Sequence, residues 1–115
     1  MAAEPLPETT RVPSSAVIPH AKLTEYLLAY RRKSDKSQFL AQAGFTEDNP
    51  AELAQAIRRL IAGHEAVVDR QNEYGTFYRV EGQMEGPDGV LEVVTVWIKQ
   101  EIDGVFRFVT LEPVR

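Results

Sequence analysis

Cysteine is absent from this 115-residue chain, which removes disulfides, thiolate zinc sites and iron–sulfur clusters as ways of holding it together. Histidine is scarce: His20 and His64 stand alone, in no recognised ligand spacing, so no metal and no cofactor is expected. Long apolar runs are missing too. The longest, Tyr26 to Tyr30, falls far short of the roughly 20 residues that span a bilayer, which excludes a membrane-crossing helix. The proline- and Ser/Thr-bearing start has no apolar centre of a secretion signal, so a cytoplasmic location is expected. A glycine-rich phosphate loop, a nucleophile elbow and a spaced carboxylate cluster are likewise absent.

What remains is an ordinary globular composition, 43% apolar and 26% charged, on a length suited to one modest core. Residues 1–17 read as a disordered or loosely docked leader in which Ala16, Val17 and Ile18 are able to pair with a sheet edge. Residues 18–115 read as a single α+β domain. Leu23, Tyr26, Leu27 and Tyr30 recur at helical spacing and predict a first helix. Phe39, Leu40 and Ala43, ended by Gly44, predict a second. Asn49 as cap, Pro50 at the first turn and Glu52 three residues after the cap open a third, whose buried stripe is Leu53, Ile57, Leu60 and Ile61 and whose left-handed stop is Gly63.

Beyond Glu65 the period becomes two. Val67–Val68, Thr76 to Met84, Val90 to Gln100 and Val105 to Glu112 predict four strands, joined by glycine-bearing turns too short for parallel crossovers. The expected architecture is about three N-terminal helices packed on one face of a four-stranded antiparallel meander. Both faces of the third strand are apolar, so the face away from the helices is a candidate surface for a protein partner or for self-association.

The net charge of −4 argues against a general nucleic-acid coat, yet residues 19–44 carry a net +3 through Lys22, Arg31, Arg32, Lys33 and Lys36. These cations suit phosphate binding, or simply a solvated helix end. His64 beside Glu65 suits general acid–base chemistry, or a surface position after a helix. Arg79 and Arg107 interrupt apolar strands, and on one face they would grip a phosphate or carboxylate. Their structural alternative is pairing with Glu81 or Glu92. Thr110 shares a strand with Arg107. Tyr74 is a candidate stacking residue, and Trp97 is either a core anchor or the centre of a contact surface. A small-ligand pocket near Tyr26 and Trp97 is a further possibility.

The string Ile18-Pro19-x-x-Lys22-Leu23-x-x-Tyr26-Leu27-Leu28, followed by Lys36, Phe39, Gly44-Phe45, Tyr74-Gly75-x-x-Tyr78, Gly82, Pro87-Asp88-Gly89, Thr95-Val96-Trp97-Ile98 and Val109-Thr110-x-x-Pro113, resembles a family of small bacterial domains of unknown function. Helices followed by a four-stranded meander also resemble, more remotely, the Barnase/EndoU/colicin/RelE group of ribonuclease toxins. The family resemblance implies a fold and a binding or interaction module in a toxin-associated setting. The remoter one implies a metal-independent ribonuclease, with His64 as acid or base, Arg79 and Arg107 stabilising the phosphorus centre, and Thr110 positioning a phosphate oxygen. Lys22, Lys36, Tyr74 and Trp97 would then contact phosphate or partner.

Overall fold

The computed structural model describes residues 9–28 and 36–114; Tyr30 and the cations Arg31, Arg32 and Lys33 lie outside the described residues. The sheet runs in strict sequence order and is antiparallel throughout: β1 (Thr9–Thr10), β2 (Ala66–Asn72), β3 (Gly75–Gly86), β4 (Gly89–Gln100) and β5 (Phe106–Pro113). The four C-terminal strands form the expected meander. Between β1 and β2 lie a π-helical turn over Lys22–Leu27 and the helices α1 (Lys36–Ala41) and α2 (Pro50–Gly63). The leader thus adds a short fifth strand, Thr9↔Val67 and Thr10↔Ala66, ahead of the helices.

About three helices were expected, and among the described residues only α2, with 14 residues, is a long one. The first predicted helix is instead a widened turn, closed by the Leu28 N–H donating to the Leu23 carbonyl at 2.9 Å. An i→i+5 closure rotates the buried face. Leu23, Leu27 and Leu28 enter the core while Tyr26 stays at its margin. Gly44 fulfils its sequence role: its φ of +90 permits the left-handed stop after α1, in which Phe45 N–H reaches back to the Leu40 carbonyl at 3.1 Å. Gly63 does not, because α2 runs through it and ends at an extended His64. The cap of α2 also differs from the expected box. Asn49 makes no side-chain cap bond; its amide nitrogen donates to Gly44 O at 2.8 Å and to Glu52 Oε2 at 3.1 Å, and its Oδ1 accepts from Thr46 N–H at 2.7 Å. The side chain fastens the preceding loop rather than the helix.

Paired residues across the sheet divide its faces. Val80, Met84, Leu91, Val93, Thr95, Trp97, Phe108 and Leu111 point inward and form one core with Leu53, Ala56, Ile57, Leu60 and Ile61 of α2. Each of these aliphatic side chains contributes about 1.5–3 kcal/mol by leaving water. Thr95 is the polar residue in that core, and it is satisfied: Trp97 Nε1 donates to its Oγ1 at 2.8 Å, and the hydroxyl donates to Val80 O at 3.2 Å. The outward face carries Arg79, Glu81, Gln83, Val90, Glu92, Val94, Val96 and Ile98 on β3 and β4.

From Thr9 the leader is anchored at both edges. After β1 it buries Val12 and Ala16, and Val17 then bridges β5 through Val17 N–H to Phe106 O at 2.9 Å and Phe108 N–H to Val17 O at 2.8 Å. Arg58 of α2 holds it from the middle, donating to Ser14 O at 2.9 Å and Ala16 O at 3.0 Å. Arg58→Ala is expected to destabilise the fold by about 1–3 kcal/mol. Hydrogen exchange checks this, with faster exchange at the Ala16 and Val17 amides and little change at Trp97.

Candidate functional site

Three chain segments meet beside β5. The π turn supplies Lys22 and Tyr26, α1 opens on Lys36, and β5 supplies Thr110 and Glu112, which share a face by their period-two spacing. Lys36 Nζ donates to Tyr26 Oη at 3.0 Å and to Thr110 Oγ1 at 2.8 Å, and Thr110 Oγ1 lies 3.4 Å from Tyr26 Oη as a donor. Lys36 and Lys22 stand over the Tyr26 ring, their Nζ atoms 4.9 and 5.5 Å from its centroid. Glu112 Oε1 is 3.9 Å from Lys36 Nζ, an ion pair with an exposed carboxylate. The Thr110 hydroxyl first, and then the Lys36 ammonium, hold the Tyr26 phenol below the ordinary phenol range, with Lys22 adding to the effect. Two ammonium groups and a hydroxyl converging on one half-buried spot are suited to a phosphate or carboxylate.

Lys22, Lys36 and Thr110, proposed separately from sequence, are therefore brought together. Tyr26 was named from sequence only as the margin of a ligand pocket with Trp97, and Glu112 was not named as a site residue. The signals were present in the four-residue spacing of Lys22 and Tyr26 and the two-residue spacing of Thr110 and Glu112, which place each pair on one face once helix and strand are assumed.

The other expected residues are elsewhere. His64 follows α2 and its ring lies against Gly82 on the inward side of β3; a Cβ at Gly82 would come 2.6 Å from His64 Nε2. Its Nδ1 is 2.9 Å from Leu60 O, so Nδ1 carries the proton there. Thr110 pairs with Val96 on the outward side, so sheet backbone separates it from His64. Arg107 is bound in the β4–β5 turn, to Asp103 at 3.1 and 3.3 Å and to Gln100 Oε1 at 2.6 Å, rather than to Glu81 or Glu92. Arg79 is exposed two strands away, in an outward groove of about 460 Å³ shared with Asp69, Glu81, Val94, Val96 and Glu112. The two arginines face the same side but do not meet. Tyr74 is an exposed turn residue. Trp97 has no exposed surface and packs edge-on against Phe108 at 5.4 Å, the core-anchor alternative of the two that the sequence left open. Among the described residues no group of three or more His, Asp or Glu is placed to hold a metal ion, and no helix is long and apolar enough to cross a membrane.

A five-stranded antiparallel sheet backed by one long helix, with a cationic phenol–hydroxyl cluster at its last strand, defines a small α+β domain of the kind the sequence pattern implied. Residues 6–115 match the family model described as "Domain of unknown function (DUF6883)", and the chain belongs to that family. Among solved structures, it is similar to a chain of a contact-dependent growth inhibition toxin–immunity protein complex from Klebsiella pneumoniae 342. The TM-score is 0.63 at 19% identity, covering 86% of this chain and 100% of that one. At that identity the likeness is one of fold. No curated protein matches.

The placement of His64 yields one expected outcome. Gly82→Ala is expected to destabilise by about 1–3 kcal/mol through overpacking. Adding His64→Ala should restore most of the loss, a double-mutant cycle measured by denaturant unfolding. The Arg107 contact yields another. Its guanidinium, with the Val105 N–H, holds the Asp103 carboxyl below the ordinary aspartate range. The stabilisation is therefore present above the unfolded aspartate pKa and is lost as pH falls through the lower folded value. Asp103→Asn should lower the thermal midpoint at neutral pH, and the gap should close in strong acid.

Proposed function

We propose that this domain is a toxin-associated ribonuclease whose site is the cluster of Lys22, Tyr26, Lys36 and Thr110. The observation that carries the reading is the Lys36 ammonium bonded to a phenol and a hydroxyl from two other segments, with the Lys22 ammonium over the phenol ring. An anionic oxygen placed there would accept from the Lys36 ammonium and the Thr110 hydroxyl, and the same donors would stabilise the extra charge of a five-coordinate phosphorus. The neighbour's origin in a toxin–immunity complex supports the setting. His64 and Arg107 are left out of the machinery because each is held by its own contacts, and Arg79 because it stands two strands away on β3.

A second reading keeps the domain as a binding module acting through the outward sheet face. Val67 and Val90 are exposed there at 50% and 53%, on the same side as the groove containing Arg79 and Glu81. The two readings part on turnover. The purified protein should cleave RNA in the presence of a chelator. Lys36→Ala should slow cleavage by about 10²–10³-fold, the usual loss for one donor to a developing anion. His64→Ala should cleave at nearly the parental rate, and the Lys36 variant should melt near the parental midpoint. Absence of RNA cleavage by the parent protein overturns the ribonuclease reading and leaves the binding module.

A further inference from the structure

We infer that the Tyr26 phenolate is the base that removes the ribose 2′-hydroxyl proton, and that Lys36 protonates the leaving oxygen, so that cleavage ends at a 2′,3′-cyclic phosphate. This rests on the ribonuclease reading and adds to it which group moves which proton.

The argument begins with the direction of the hydrogen bonds. Lys36 Nζ donates to Tyr26 Oη at 3.0 Å, and Thr110 Oγ1 is placed to donate to the same oxygen at 3.4 Å because its own lone pairs face Lys36 Nζ at 2.8 Å. Tyr26 Oη is thus an acceptor of two donors, and among the described residues no hydrogen bond takes the phenol's own proton. That pattern stabilises the oxyanion and leaves one direction open for a substrate proton. His64, the residue type expected for this task, has its ring against Gly82 on the opposite side of the sheet.

Among the described residues, the charged groups facing Tyr26 are Lys22 on its own turn, Lys36 on α1 and Glu112 on β5. The two cations favour the phenolate, and the exposed Glu112, 3.9 Å from Lys36, opposes it weakly. In the step itself, Tyr26 Oη takes the 2′-hydroxyl proton, O2′ forms a bond to phosphorus, and the bond from phosphorus to O5′ breaks. Lys36 Nζ gives a proton to O5′, producing a 5′-hydroxyl end. Tyr26 is then a neutral phenol and Lys36 a neutral amine, and the proton returns from Oη to Nζ along their existing contact. No water, oxidant or further reactant is consumed.

The test uses the full chain and an RNA oligonucleotide. Parent protein should leave 2′,3′-cyclic phosphate and 5′-hydroxyl ends, should spare an oligonucleotide with a 2′-deoxy sugar at the cleaved position, and should gain rate with pH along a limb lying below the ordinary tyrosine range. Tyr26→Phe should lose about 10²–10⁴-fold in rate, together with that limb, at an unchanged thermal midpoint. Lys22→Met, which removes one of the two cations, should move the limb upward. Ultraviolet titration of parent against Tyr26→Phe should show the missing tyrosinate to be the one ionising earliest. RNA cleavage by the parent with an unchanged rate and pH limb in Tyr26→Phe overturns the base assignment while the ribonuclease reading stands. Cleavage of the 2′-deoxy substrate overturns the 2′-hydroxyl step. A parent protein without RNA cleavage overturns both readings.

Discussion

The hydrogen bond from Leu28 N–H to the Leu23 carbonyl governs the functional end of this molecule. In a regular helix the apolar face would have been Leu23, Tyr26 and Leu27, with the tyrosine turned inward. The wider i→i+5 closure brings Leu28 into the core in its place, and the three leucines are almost wholly buried. Tyr26 is left at the margin, packed on the core by its ring and open at its oxygen. Three buried leucines contribute several kcal/mol, on the order of 1.5–3 each, which outweighs the poorer geometry of a π turn. Core packing thus fixes the position of the phenol, and the phenol fixes where Lys36 and Thr110 find an acceptor.

Electrostatics at this site are local. The chain carries a net −4, and the outward face beside the cluster is lined by Asp69, Glu81 and Glu112, so the molecule as a whole does not attract a polyanion from a distance. Within a screening length of about 8 Å, however, Lys22 and Lys36 dominate around Tyr26. Glu112 forms an ion pair with Lys36 of the cluster, and its carboxylate is 61% exposed, so the pair is weak and is displaced at little cost by a phosphate. A site of this kind discriminates by short-range geometry, with four groups in fixed positions, more than by steering.

The sheet was legible in the sequence because its period of two persists across β3, β4 and β5, and because Pro87-Asp88 and Asp103-Gly104 leave no room for anything but hairpins. Where sequence reasoning went astray, two satisfactory local arrangements competed and tertiary contacts chose between them. Asn49 has the chemistry of a helix cap, but Gly44 O and Thr46 N–H were within its reach, and it fastens the loop. Arg107 had glutamates available across the strands by residue type, yet the turn offered Asp103 with both oxygens in line and Gln100 besides. His64 beside Glu65 has the composition of an acid–base pair. Its location is decided by Gly82, which lies 18 positions along the chain and leaves a side-chain-sized space for the ring. Composition identified Lys22, Lys36 and Thr110 as chemically capable, and only the fold could say that they meet.

The leader completes the argument, because a meander has two edges and each is a template for unwanted pairing. Thr9–Thr10 occupies the start of β2, and Val17 occupies β5 at Phe106 and Phe108, so one short segment engages both. Its coverage of β5 ends where the site begins. The ladder partners of Thr110 and Glu112 are Val96 and Val94 on β4, while their side chains meet Tyr26 and Lys36. Had the leader continued along β5 as a regular strand, its side chains would have stood in the space that the phenol and the ammonium now share. A single backbone bridge at Val17 secures the edge and leaves the second half of the strand to chemistry. The chain after Val17 turns away and winds into the π turn, so the departure from strand geometry and the assembly of the cluster are one event in the path of the chain.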